Sequence, residues 1–145
     1  TTSQVTNFHS CLVQRVGCAG AAFVSCERVD VADSSFSAGP TDVPLRLLLI
    51  SGSLRGVVCN GGVKALNLIT MQNPRRLESR RFGDAAVQVS NCTFRADTQS
   101  VVSTTYLSVD FASVLLAGSG SSSPAIFSQY SIVRVRGGYL GALPA

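Results

Sequence analysis

Few side chains in these 145 residues could carry acid–base, nucleophilic or metal chemistry, and none stands in the spacing that such chemistry needs. The one histidine, His9, precedes Ser10 and Cys11. A base and a nucleophile adjacent in sequence rarely reach hydrogen-bonding geometry, and no nearby acid orients the imidazole, so His9 reads as a bend residue. The eight carboxylates (Glu27, Asp30, Asp33, Asp42, Glu78, Asp84, Asp97, Asp110) are scattered singly. Five cysteines, Cys11, Cys18, Cys26, Cys59 and Cys92, are an odd number without CxxC spacing. They support neither a zinc site nor a complete disulfide framework, and read as small buried hydrophobes. Thr1 could act as an N-terminal nucleophile only within a sandwich pattern that the chain lacks. No catalytic, cofactor-binding or metal-ligating residue is assigned, and no cofactor is expected.

The charged groups suggest binding instead. A net charge of +4 is carried by eleven Arg and Lys64. Four of the Arg (Arg75, Arg76, Arg80, Arg81) fall within seven residues just after the Asn73-Pro74 break. Guanidinium groups offer bidentate donors to sulfate, phosphate or carboxylate, so this loop is a candidate anion site for acidic glycans. No aromatic residues interleave with the Arg to stack bases, and nucleic acid is not an expected partner. Asn91-Cys92-Thr93 fits the N-glycosylation acceptor pattern.

The elements that would position these groups are strands. Apolar residues make up 46% and charged ones 14%, which excludes intrinsic disorder. The longest apolar stretch, Val43 to Ile50, is interrupted by Pro44 and Arg46 and falls short of the ~20 residues of a membrane helix. No window keeps an apolar face at helical spacing, whereas short apolar runs alternate with turns such as Asn60-Gly61-Gly62 and Gly118-Ser119-Gly120. The chain reads as one all-β domain over residues 1–145, and as a processed piece or fragment of something longer.

An internal repeat sharpens this. Val29-Asp30-Val31-Ala32-Asp33-Ser34-Ser35-Phe36 overlays Val87-Gln88-Val89-Ser90-Asn91-Cys92-Thr93-Phe94, with apolar residues at positions 0, 2 and 7. The same frame accepts starts at 5, 47, 66, 107 and 133, which predicts about seven coils of a parallel β-solenoid. These phrases resemble the coils of the right-handed parallel β-helix superfamily, the pectate-lyase-like fold. Its polysaccharide lyases and hydrolases cluster carboxylates on one strand face, and the resemblance directs attention to Asp30 and Asp110. The frame sets them four coils and roughly 19 Å apart, beyond the range of paired glycosidase carboxylates. Arg134 and Arg136 read as an exposed strand face.

The frame also predicts an outward apolar stripe of Phe8, Leu48, Ile50 and Ile69, a candidate contact surface for a second copy or another protein. The expected role is a non-enzymatic structural or adhesive β-helix module of a surface or assembled protein, extracellular, at a cell surface or in a virion. Two alternatives stand beside it: a carbohydrate-binding or polysaccharide-degrading β-helix fragment, and a jelly-roll viral coat protein.

Overall fold

The computed structural model describes residues 2–6, 9–39, 42–61, 67–73, 86–95, 100–118, 126–129, 131–137 and 139–142. These form eighteen strands and no helix, arranged as three sheets of six. The first sheet stacks β1 (Thr2–Thr6), β4 (Ala21–Ser25), β7 (Leu45–Leu48), β10 (Asn67–Gln72), β13 (Ser100–Thr105) and β16 (Ile126–Gln129). The second stacks β2 (Ser10–Gln14), β5 (Arg28–Ala32), β8 (Ser51–Arg55), β11 (Val87–Ser90), β14 (Ser108–Ala112) and β17 (Ile132–Arg136). The third stacks β3 (Gly17–Ala19), β6 (Ser35–Ala38), β9 (Val58–Gly61), β12 (Thr93–Arg95), β15 (Leu115–Gly118) and β18 (Tyr139–Ala142). Each strand pairs with the strand three places along, always in parallel, as in a β-solenoid. A jelly roll needs antiparallel ladders, and every ladder among the described residues is parallel.

Period-2 alternation sends one set of side chains into a shared interior. In the second sheet one inward column runs Cys11, Val29, Gly52, Val87, Val109, Val133, and the next runs Val13, Val31, Leu54, Val89, Phe111, Val135. The frame residues Val29, Val31, Phe36, Val87, Val89 and Phe94 are each 3% exposed or less. Stacking like on like lets each layer bury its apolar face against the next.

The spacing of the frame, however, merges two sheets. Starts 29, 87 and 133 lie on the second sheet, but Val5 and Leu47 lie on the first, paired through Val24. Start 107 falls two residues early, because Val109 rather than Leu107 continues the column of Val87. In β10 the core positions are Ile69 and Met71, at 0% and 1% exposure. The seven starts therefore do not count layers.

The corners between the second and third sheets repeat more strictly than the strands. Arg15, Asp33, Gly56, Asn91, Ser113 and Gly137 all have left-handed φ, from 51° to 68°. From Arg15 to Ser113, each backbone N–H donates to the last carbonyl of the strand above, with N···O between 2.9 and 3.2 Å. Only glycine adopts this backbone without cost, and Asn and Asp tolerate it better than most. Ser113 is exposed and pays that cost with no side-chain burial in return. Ser113→Val should lower stability by about 1–3 kcal/mol in urea denaturation, while Ser113→Gly should cause no loss. Equal losses for both variants would show that the corner tolerates any residue.

Candidate functional site

The polar outward face of the second sheet is where the structure gathers the most chemistry-bearing side chains. Its central outward column runs Leu12, Asp30, Ser53, Gln88, Asp110 and Arg134. Asp30 and Asp110 thus share a column, three steps apart rather than four, or roughly 14 Å at ~4.8 Å per step. That still exceeds the reach of paired glycosidase carboxylates.

Both carboxylates are already engaged. Arg28 Nε donates to Asp30 Oδ2 at 2.9 Å, and Ser53 Oγ donates to Asp30 Oδ1 at 2.7 Å. Arg136 grips Asp110 with both ends of its fork, Nε to Oδ1 at 3.2 Å and Nη2 to Oδ2 at 2.7 Å. The Asp110 side chain is 12% exposed against 62% for Arg136, so the acid sits in the face and the base lies over it. The hydrogen bond and charge of Asp110 raise the Arg136 pKa above its ordinary value, so its guanidinium stays charged. Asp110 thus accepts two charge-assisted hydrogen bonds from one arginine, and Asp30 accepts from both Arg28 and Ser53. Arg134, two residues before the gripping Arg136, is exposed in the column itself.

Cysteine chemistry is also accounted for. Cys11 and Cys26 form a disulfide across 15 residues, a pairing that the odd cysteine count did not reveal. Cys18, half-buried, and Cys59 and Cys92, buried, remain thiols. Burial pushes the Cys59 thiol far up, with the nearby Cys92 adding to the shift, and burial likewise raises Cys92. Both thiols are buried, where the thiolate that nucleophilic attack needs is disfavoured.

Cys92 has a corner role instead. Its Sγ donates to Ser90 O at 3.2 Å and accepts from Val57 N–H at 3.4 Å. In the equivalent corner two layers below, Ser34 Oγ donates to Ala32 O at 2.9 Å and accepts from Val16 N–H at 3.1 Å. Ser131 repeats the motif at another corner, donating to Gln129 O and accepting from Leu107 N–H. A small donor–acceptor side chain, two residues after a strand's last carbonyl, closes the corner by satisfying buried backbone groups.

The predicted contact stripe does not form one face. Ile69 is 0% exposed, in register between Leu45 and Val102 in the core, and cannot meet another chain. Its misplacement follows from the merged frame, which set it on the outward parity. Leu48 is half-buried on the outward side of the first sheet, in register with Ser25 and Gln72. Ile50 is half-buried in the corner before β8, and Phe8 lies outside the described residues. The arginine loop with Arg75, Arg76, Arg80 and Arg81 also lies outside them. His9 is an exposed bend residue whose carbonyl accepts from Arg28 N–H at 2.9 Å. Asn91 is exposed at its left-handed corner.

Exposed apolar side chains concentrate instead at the two ends of the stack. Leu12 and Val16, on and just after the edge strand β2, are 69% and 41% exposed. Ile132 and Val135, on the edge strand β17, are 52% and 39% exposed. Val135 belongs to an inward column, so this end opens the interior itself. Beneath the other end an opening of 530 Å³ is lined by Val13, Val16 and Cys18 of the first layer and by Ala22, Val24 and Phe36 of the second. Toward β16 the first sheet's inward column turns polar, through Thr104 and Ser128. The Thr104 hydroxyl oxygen is buried and finds no hydrogen-bond partner among the described residues. Among those residues there is also no group of three or more potential metal ligands, and no helix long and apolar enough to cross a membrane. Comparison with protein-family models, with curated proteins and with solved structures returns no match.

Proposed function

We propose that the chain is a non-enzymatic structural or adhesive module, a right-handed parallel β-helix that works within a surface or assembled protein. The observation that carries this reading is the apolar exposure at both ends, Leu12 and Val16 at one and Ile132 and Val135 at the other. Leu12 and Ile132 point outward from the edge strands β2 and β17, Val135 lies in an inward column, and edge strands are templates for further pairing. The Cys11–Cys26 disulfide fits an oxidising compartment and supports an extracellular or surface location. The commitment of Asp30 and Asp110 to arginine argues against acid–base hydrolysis on this face.

Electron microscopy and light scattering of the purified chain over a range of concentrations test the reading. Rods longer than a single stack, shortened by Leu12→Lys or Val135→Lys, are expected. A monodisperse monomer at every concentration, together with cleavage of a polysaccharide, would overturn it. A glycan-binding role is the second reading, favoured by the flat polar column of Ser53, Gln88 and Arg134, and polysaccharide retention without cleavage would select it. The arginine loop would serve the same role through acidic glycans, and a glycan on Asn91 would project from the corner into solvent.

A further inference from the structure

Among the described residues, β1, β2 and β3 each stand at the edge of their sheet, paired with β4, β5 and β6. An opening of 530 Å³ is lined by residues of both layers, among them Val13, Cys18, Val24 and Phe36. Leu12 points outward and Val16 lies past the end of β2, at 69% and 41% exposure, so the apolar contact with the core comes from Cys11, Val13 and Cys18. Besides the three parallel ladders there is one covalent tie: Cys11 on β2 is joined to Cys26 at the corner after β4, and both cysteines are buried, at 8% and 5% exposure.

We propose that the Cys11–Cys26 disulfide is a redox latch on this end of the stack. Its reduction releases β1 to β3 from β4, β5 and β6 while the remaining layers stay folded. The step takes two electrons from a dithiol reductant. One reductant thiolate attacks a sulfur of the pair, breaking the S–S bond and expelling the other cysteine as a thiolate, which takes up a proton. The second reductant thiol then displaces the first cysteine, which is likewise protonated. The products are two cysteine thiols and the cyclic disulfide of the reductant. Once cut, the first layer loses the tether that limits its open states, and the edges of β4, β5 and β6 become available for pairing. This inference does not rest on the assembly reading, because it concerns one isolated chain.

Hydrogen exchange followed by mass spectrometry on the folded protein, before and after treatment with dithiothreitol, tests the latch. Reduction is confirmed by a mass gain of about 2 Da for the two protons taken up. Amides joining the first two layers, such as the Arg15 N–H that donates to Ala32 O, should then exchange roughly a hundredfold faster, the factor expected for releasing a loop of this length. Peptides spanning Val87 to Phe94 should not change. Replacing both cysteines (Cys11→Ala with Cys26→Ala) should reproduce the fast exchange without reductant and abolish the response to it. Unchanged exchange in β1 to β3 after confirmed reduction would overturn the latch. So would loss of protection in all layers, a double variant that does not fold, or absence of the disulfide from protein folded under oxidising conditions.

Discussion

Replacing Phe94 with alanine should lower the stability of the folded chain by about 3–5 kcal/mol, measured by chemical denaturation. Phe94 is 0% exposed on β12, in register with Cys59 below and Leu116 above in the third sheet. Two conditions make a truncation expensive: loss of a large apolar surface and a cavity that its surroundings cannot fill. Both hold here. The backbone above and below is fixed by ladder hydrogen bonds on either side, so the neighbouring layers cannot slide in to close the void. Phe94→Leu, which keeps most of the volume, should cost less than about 1.5 kcal/mol. Arg95→Ala, one residue on and exposed, should change stability by no more than about 0.5 kcal/mol. A loss below about 1 kcal/mol for Phe94→Ala would mean that the interior is fluid enough to repack, contrary to an ordered stack.

The alternation that makes Phe94 a core residue is legible in the sequence, but the identity of its sheet is not. Val29 and Val31 carry the same apolar pair as Leu45 and Leu47 of the first sheet, and a period of two reads alike on any of three sheets. Only the corners tell the sheets apart, and their signal is weak. Left-handed φ is suggested by Gly56, Gly137, Asn91 and Asp33, but Arg15 and Ser113 adopt it without any compositional hint. The frame therefore separates Asp30 and Asp110 by one step too many. The arginines that bind them could not be inferred, since Arg136 reaches Asp110 from the neighbouring strand and only the register brings them together. The disulfide was hidden for the same reason: among five cysteines, only the stacking of β2 beneath β5, with β4 turning into it, selects Cys11 and Cys26. The Cys92 corner could have been found. Ser34 and Cys92 occupy the same position in the two overlaid phrases, and both are small side chains able to donate and accept.

Gly52 explains why the frame failed where it did, and it leads to the other large effect. In the inward column of the second sheet it stands between Val29 and Val87, where an apolar side chain is otherwise the rule. A search for apolar pairs skips it and settles on Leu47 and Leu49 instead. The local backbone shows why glycine is needed. At the corner before β8, both Ile50 N–H and Ser51 N–H donate to the one carbonyl of Glu27, at 2.9 and 3.1 Å, so two residues are fitted against one. This bulge presses the chain onto β5. A Cβ built on Gly52 would meet the backbone of Val29, its carbonyl oxygen and carbon, closer than any real side-chain contact. The obstacle is main chain held in a ladder, with no flexible side chain to swing aside. Gly52→Ala should therefore cost about 3 kcal/mol or more, by forcing β5 and β8 apart and breaking ladder hydrogen bonds on both. Gly17→Ala provides the contrast. Its added methyl would meet only Ser35 Oγ at 3.6 Å, an ordinary contact, and stability should stay within about 0.5 kcal/mol of the parent. If Gly52→Ala matched Gly17→Ala in denaturation midpoint, β8 would have room to move away from β5, and the bulge would be a soft corner with no hold on the stack.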